Sequence, residues 1–329
     1  MTSSTEFLAA ADEGDLHRAI SLLKCGEVVA FPTETVYGLG ANGMDAAAVQ
    51  KIFQAKGRPG DNPLILHVAS LEQALPLWQA SDSEIRMARQ LADAFWPGPL
   101  SLVLTANSAV PEAVTAGLGS VAVRVPVNSV SQRLLQGCSF PLAAPSANLS
   151  SRPSPTQASH VAATLDGRIA AILDGGETEL GIESTVLDIR GAEPRLLRPG
   201  TITLSAIESI VGEVSSSDAA IGSAPSPGLR HRHYQPQGIS LQLVDTQVLA
   251  QAWDESVAII CLENSTANRG VRNAPLLCMP NNASDYGAKL YAVLYELEQS
   301  GVTTVLVEKV PDSPQWQAVN DRLRRAAGG

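Results

Sequence analysis

Lys56 and Arg58 stand one residue apart in Lys56-Gly-Arg-Pro-Gly-Asp-Asn-Pro63, a turn-rich run stiffened by two prolines and followed by an apolar strand. A lysine supplies a point charge and an arginine a bidentate fork, a pair suited to a polyphosphate. The alternative is a solvated helix end, since cations also favour helix C-termini. Asn62 and His67 add hydrogen-bonding groups around the same loop. Residues 144–155, APSANLSSRPSP, crowd hydroxyls and an asparagine behind a short strand. Ser146, Asn148 and Ser154 there either grip phosphate or ribose oxygens or decorate a polar surface loop. Arg124 shares a strand face with Ala122, as a paired charge or as a clamp for a carboxylate. Ser184 begins a strand in Glu183-Ser-Thr185, Arg198 ends one in LLRPG, and Trp96 reads as a core anchor.

Two further motifs lead elsewhere. Gly38-Leu-Gly-Ala-Asn-Gly43 matches GxGxxG, with Asp61 roughly 20 residues on, as a dinucleotide site would have it. Pro32-Thr-Glu-Thr35 interrupts the join from strand to glycines, which must be direct in such a site. The glycines therefore read as serving a tight turn. Ser226-Pro-Gly-Leu-Arg-His-Arg-His-Tyr234 carries two of the five histidines, but no Cys/His cluster completes a metal site. A basic, proline-stiffened segment ending in one tyrosine reads as a lid over an anionic ligand.

These groups need elements to hold them. The patterns predict helices at 15–24, 45–56 and 83–95, with Asp45 capping the second. Strands are predicted at 27–32, 64–68, 101–106, 121–125, 142–145, 169–173 and 185–189. Mixed strands and helices without regular alternation indicate an α/β sheet. Residues 214–238 are rich in Ser, Pro and Gly and read as a linker between a domain at 1–213 and one at 239–329. In the latter, strands at 239–244, 257–262 and 302–307 and a helix at 284–300, bracketed by Ser284 and Gly301, predict a small parallel Rossmann-like α/β domain.

At 329 residues, 45% hydrophobic and 17% charged, the chain has the composition of a globular protein of two domains. Its formal net charge of -10 argues against a broad phosphate-tracking surface, so an anion is bound by a few cations concentrated in a cleft. No apolar run approaches the ~20 residues of a membrane helix, and no membrane partner is expected. The first residues are acidic and lack an export pattern, which predicts a cytoplasmic location. Cys25, Cys138, Cys261 and Cys278 are scattered and read as reduced thiols, neither a disulfide frame nor a zinc site.

FPTETVYGLG, KGRPGDNPL, FWPGPLSLVL, VAVRVP, APSANLSS, ESTVLD and LRPG occur in this order across residues 26–200. Together they resemble the YrdC family, and SPGLRHRHYQP with the trailing domain resembles its longer Sua5 branch. The resemblance implies a twisted α/β YrdC-type sheet with a concave basic cleft. It implies an L-threonylcarbamoyladenylate synthase, which joins L-threonine, bicarbonate and ATP and releases pyrophosphate, for a modified adenosine of tRNA. Carried over by motif, Thr35, His67, Arg124, Ala144 and Ser184 surround threonine. Lys56, Arg58, Asn62, Ser120, Ser146, Asn148, Ser154, Arg198 and Tyr234 surround ATP, with Lys56 and Arg58 acting on the reacting phosphates. Mg²⁺ is expected with ATP, held by phosphate oxygens and water without protein ligands. Expected partners are downstream threonylcarbamoyl-transfer machinery and a weak contact with tRNA. The alternatives are an RNA-binding module, opposed by the acidic charge and an aromatic content of 4%, and a related carbamoyl-adenylate enzyme with a different acceptor.

Overall fold

The computed structural model describes residues 4–216, 234–249, 251, 253, 255–266 and 274–328. The chain divides into two compact units. The first contains β1 (Glu6–Ala9), α1 (Glu13–Lys24), β2 (Val29–Phe31), β3 (Gly38–Asn42), α2 (Ala46–Lys56) and β4 (Ile65–His67). It continues through α3 (Leu71–Ala74), α4 (Asp82–Phe95), β5 (Leu100–Thr105), α5 (Glu112–Thr115), β6 (Ser120–Arg124), α6 (Ser129–Gly137) and β7 (Leu142–Ala143). It ends with α7 (Ala158–Leu165), β8 (Ala171–Asp174), β9 (Thr185–Asp188), β10 (Arg195–Arg198), α8 (Leu204–Val211) and β11 (Ser215–Ser216).

Its strands form one mixed 11-stranded sheet in the order β1-β8-β2-β3-β7-β4-β6-β5-β9-β10-β11. So long an open sheet carries the right-handed twist of its strands. The helices start where side chains satisfy their first amides: Asp12, Asp45, Ser81 and Asn128 each accept from them, and Ser81 with Glu84 closes a capping box. The predicted helices at 15–24, 45–56 and 83–95 are α1, α2 and α4. Strand β11 pairs with β10, so residues 215–216, expected in the linker, belong to the sheet.

The tight turn expected at Gly38–Gly43 is instead strand β3, antiparallel to β2. The reason is packing. A Cβ on Gly40 would stand 2.8 Å from Cε1 of Phe31, and one on Gly38 would stand 3.3 Å from its Cζ. The Phe31 ring lies across both glycines, and side chains there would displace it. These glycines serve close approach of a ring within a sheet.

The second unit consists of Ser151–Ser154, Leu180–Ile182 and the described residues from Tyr234 onward. It adds β12 (Ser240–Val244), α9 (Thr246–Leu249), β13 (Val257–Leu262), β14 (Leu276–Met279), α10 (Ala283–Gln299), β15 (Thr304–Glu308) and α11 (Gln317–Ala326). The strands are all parallel, ordered β12-β15-β13-β14. The helix expected at 284–300 is α10, capped by Asn282 rather than Ser284.

The short segments 151–154 and 180–182 separate from their sequence neighbours because α10 holds them. The Tyr295 hydroxyl donates to the Pro153 carbonyl at 2.9 Å, and Arg152 pairs with Glu298. Gly181, at φ 69, lies so close to α10 that a Cβ would be 2.4 Å from the Ala288 carbonyl oxygen. At the carboxyl edge of this sheet, where α/β sheets bind ligands, the buried Glu308 carboxylate accepts from Thr246, Ser265 and the Leu262 amide. Its own side chains tie that edge together.

Gly40→Ala is expected to destabilise the protein by about 1–3 kcal/mol through overpacking. Phe31→Leu in the same chain should recover part of that loss, a coupling that urea denaturation of both single variants and the double variant measures.

Candidate active site

The C-cap of α2 delivers the first cation. Gly57 adopts the left-handed conformation at φ 58, ending the helix at Lys56 and turning the chain into the Arg58 loop. Lys56 does not point into solvent as a helix-end cation would. Its side chain is 2% exposed, and Nζ donates to the carbonyl oxygens of Ser146 and Asn148, each at 2.6 Å. Burial, reinforced by Arg58 nearby and opposed by Glu183, holds the Lys56 pKa well below the usual lysine range. The same contacts anchor the loop behind β7, which Gly38 meets through a bridge to Ser146. Arg58 is buried as well, with Nη2 directed at the Asn62 and Pro63 carbonyls at 3.4 and 3.3 Å.

A polar row crosses the sheet next to this loop. Strand β4 pairs with β6 so that His67 lies beside Arg124. One step beyond the pair Leu102–Val123, antiparallel β5 sets Ser101 beside Arg124 on its other side. Laterally paired residues share a face, so His67, Arg124 and Ser101 project together. The Ser101 and Ser184 hydroxyls are 2.8 Å apart, and Arg198 donates from Nε to the Ser184 carbonyl and from Nη2 to its Oγ, both at 3.1 Å. The next positions on this face are apolar: Ile65, Ala122, Val103, Val186 and Leu197 form a small cluster of their own. The result is a charged and hydroxylated band over a dry floor.

Arg124 is 3% exposed and is held through all three of its nitrogens. Nε donates to the Gly98 carbonyl at 3.2 Å, Nη1 to the Thr35 hydroxyl at 3.0 Å, and Nη2 to Glu34 at 2.6 Å. The other Glu34 oxygen accepts from the Val127 amide. His67 donates from Nδ1 to the Ile65 carbonyl at 3.3 Å, and burial together with the Arg124 charge pushes its pKa down to about 3. The imidazole is therefore neutral at physiological pH.

Of the residues expected around threonine, Thr35, His67, Arg124 and Ser184 meet in this row, and the Ala144 amide donates to the Ile65 carbonyl on β4. Of those expected around ATP, Lys56, Ser146 and Asn148 meet directly, Arg58 meets Asn62, and Arg198 meets Ser184. Continuing the β4–β6 register two residues back sets Ser120 level with Pro63, beside the cation loop. Ser154 and Tyr234 belong to the second unit. There the Tyr234 ring is buried, stacked on Tyr291 at 5.3 Å with the Arg322 guanidinium 5.6 Å from its centroid. Arg230, His231, Arg232 and His233, read as parts of a lid, lie outside the described residues. Sequence reasoning missed Glu34, Ser101 and Glu183. The available signals were a carboxylate just before Thr35, a polar residue inside an apolar strand, and a carboxylate just before Ser184.

Among the described residues no three His, Cys, Asp or Glu side chains gather as a metal site, and no helix is long and apolar enough to cross a membrane.

Comparison with known proteins gives a consistent pattern. Residues 21–200 match the Sua5–YciO–YrdC family model, described as telomere recombination. Residues 202–328 match the model described as the threonylcarbamoyl-AMP synthase C-terminal domain. The chain is 40% identical over 326 residues to the threonylcarbamoyl-AMP synthase of Pyrococcus abyssi, covering 96% of this chain and 95% of that protein. It is 40% identical over 330 residues to that of Bacillus subtilis, covering 97% and 94%. The crystal structure of P. abyssi Sua5 complexed with L-threonine matches with a TM-score of 0.87 at 37% identity, over 99% of this chain and 98% of that one. E. coli YciO, at 20% identity and a TM-score of 0.53 over 60% of this chain and 96% of that one, shares the fold.

His67 makes stability depend on pH in a defined direction. The folded pKa of about 3 lies below the ordinary 6.5, so the unfolded chain binds more protons between them and stability falls as pH drops through that window. From pH 6.5 to 5 the loss is roughly 1.5 × 1.36, or ~2 kcal/mol. His67→Gln should lack this part of the decline, as urea denaturation of both proteins at pH 7.5 and pH 5 would reveal.

Proposed function

The chain belongs to the Sua5–YciO–YrdC family, and from that premise we propose that it is an L-threonylcarbamoyladenylate synthase. It converts L-threonine, bicarbonate and ATP to threonylcarbamoyl-AMP, pyrophosphate and water, and is by reaction type a nucleotidyltransferase. The observation that carries this reading is the joining of two distant motifs. The Lys56 ammonium is seated on the Ser146 and Asn148 carbonyls, so the cation loop and the hydroxyl loop form one anion-binding wall beside the Arg124 row.

The chemistry requires such an arrangement. Threonine's amine and bicarbonate form an N-carboxy-threonine with loss of water, and its carboxylate oxygen attacks the α-phosphorus as pyrophosphate departs. Nucleophile and triphosphate are both anions, so fixed cations must offset their repulsion and the charge that develops. In this proposal Arg124 holds the α-carboxylate of threonine. Thr35, Ser184 and the backbone at Ala144 bound its side chain and amine. Neutral His67, with its Nδ1–H given to the Ile65 carbonyl, can accept a hydrogen bond at Nε2 without adding charge. Lys56, Arg58 and Arg198 face phosphates, with Asn62, Ser120, Ser146 and Asn148 supplying polar contacts. No nucleophilic side chain is required.

Mg²⁺ would enter with the triphosphate and neutralise phosphate charge. The nearby donor set fits a hydrated, phosphate-held ion. Asn62 Oδ1 is buried without a hydrogen-bond partner, a neutral hard oxygen able to accept from a metal-bound water. Transfer of the product to tRNA by separate machinery, with weak tRNA contact here and a cytoplasmic location, completes the reading.

Threonine-dependent pyrophosphate release tests it directly, and its absence in the presence of all three substrates would refute it. Arg124→Lys keeps the charge but loses the fork, so KM for threonine should rise far more than KM for ATP. Lys56→Ala should slow synthesis ~10²-fold. It should also lower the thermal midpoint, because two buried carbonyls lose their donor.

A further inference from the structure

Cys261 and Cys278 are distant in sequence but adjacent in the second unit. Parallel strands β13 and β14 pair so that Cys261 lies beside Cys278. Lateral partners on neighbouring strands are about 4.8 Å apart and project from the same face. That spacing lies within the ~4.4–6.8 Å Cα separation of disulfides. The two thiols are also within hydrogen-bonding reach of each other. Cys278 is exposed and Cys261 buried, and among the described residues β14 is the edge strand, with one neighbour in the sheet. An edge strand can adjust by the small amount that bonding the sulfurs requires.

We propose that Cys261 and Cys278 are a redox-modification site, which a peroxide oxidises to an intramolecular disulfide and a thiol reductant reopens. Exposed Cys278 meets the oxidant first. Its thiolate attacks the peroxide, an S–O bond forms, the O–O bond breaks, and the leaving hydroxide takes a proton and departs as water. The Cys261 sulfur then attacks the Cys278 sulfenic acid. The S–S bond forms, the S–O bond breaks, and the departing oxygen takes the Cys261 proton to leave as a second water. Two thiols lose two electrons and one peroxide becomes two waters. Burial, together with the neighbouring Cys278 and Glu308, pushes the Cys261 thiol up to about 12, so it keeps its proton until that step. This division of labour, with an exposed thiol that reacts and a protected one that resolves, distinguishes the pair from Cys25 and Cys138.

The test uses the full chain, reduced, treated with hydrogen peroxide and then alkylated, with intact mass and non-reducing peptide maps as readouts. Expected are the loss of two hydrogens and a peptide pair joined through Cys261 and Cys278, both reversed by dithiothreitol and absent in Cys261→Ala and Cys278→Ala. Three results would each overturn the proposal: Cys278 oxidised to sulfinic acid while Cys261 remains alkylatable, chains joined to one another through Cys278, or a bond to Cys25 or Cys138. The map of the unaltered chain decides the question even if a variant fails to fold.

Discussion

A lysine ammonium removed from water and held between two carbonyl oxygens is the interaction on which the candidate site depends. Taking such a cation out of water is costly unless hydrogen bonds replace its hydration. The Ser146 and Asn148 carbonyls do so, at the price of fixing a loop about 90 residues away in sequence. The cation and the hydroxyl loop therefore stabilise each other. The left-handed Gly57 makes the contact possible by stopping α2 with Lys56 on the inward side of its last turn.

The Arg124 row follows a similar logic with opposite charges. Arg124 and Glu34 are both almost entirely buried, and a pair in that state must be bonded on all sides to be tolerated. Gly98, Thr35 and the Val127 amide supply the remaining bonds. These bonds keep the guanidinium in one orientation. Burial, and then the positive charge of Arg124 beside it, keep His67 neutral.

The second unit is organised around its parallel sheet. Buried Glu308 ties the ends of three elements through Thr246, Ser265 and Leu262, and α10 grips two short segments that lie far earlier in the chain. Among the described residues, the side chains at the carboxyl edge of this sheet bond to one another. The cysteine pair lies at the edge of that sheet.

Much of this was legible in the sequence, because the signals are local. Capping residues, turn prolines and apolar periodicity act within a few positions, so α1, α2, α4 and most strands of the sheet could be read from their own residues. So could the cation pair Lys56–Arg58, whose spacing is set by one stretch of chain. The identity of their partners was another matter. Whether Gly38–Gly43 makes a turn or a strand depended on where the Phe31 ring falls. Whether Arg124 meets Glu34 and Ser101, and whether Cys261 meets Cys278, depended on which strands pair and in what register. Pairing between strands distant in sequence is decided by packing of the whole sheet, and a one-residue slip would send each of these side chains to the other face. Sequence determined which groups were available for chemistry; tertiary structure decided which of them touch.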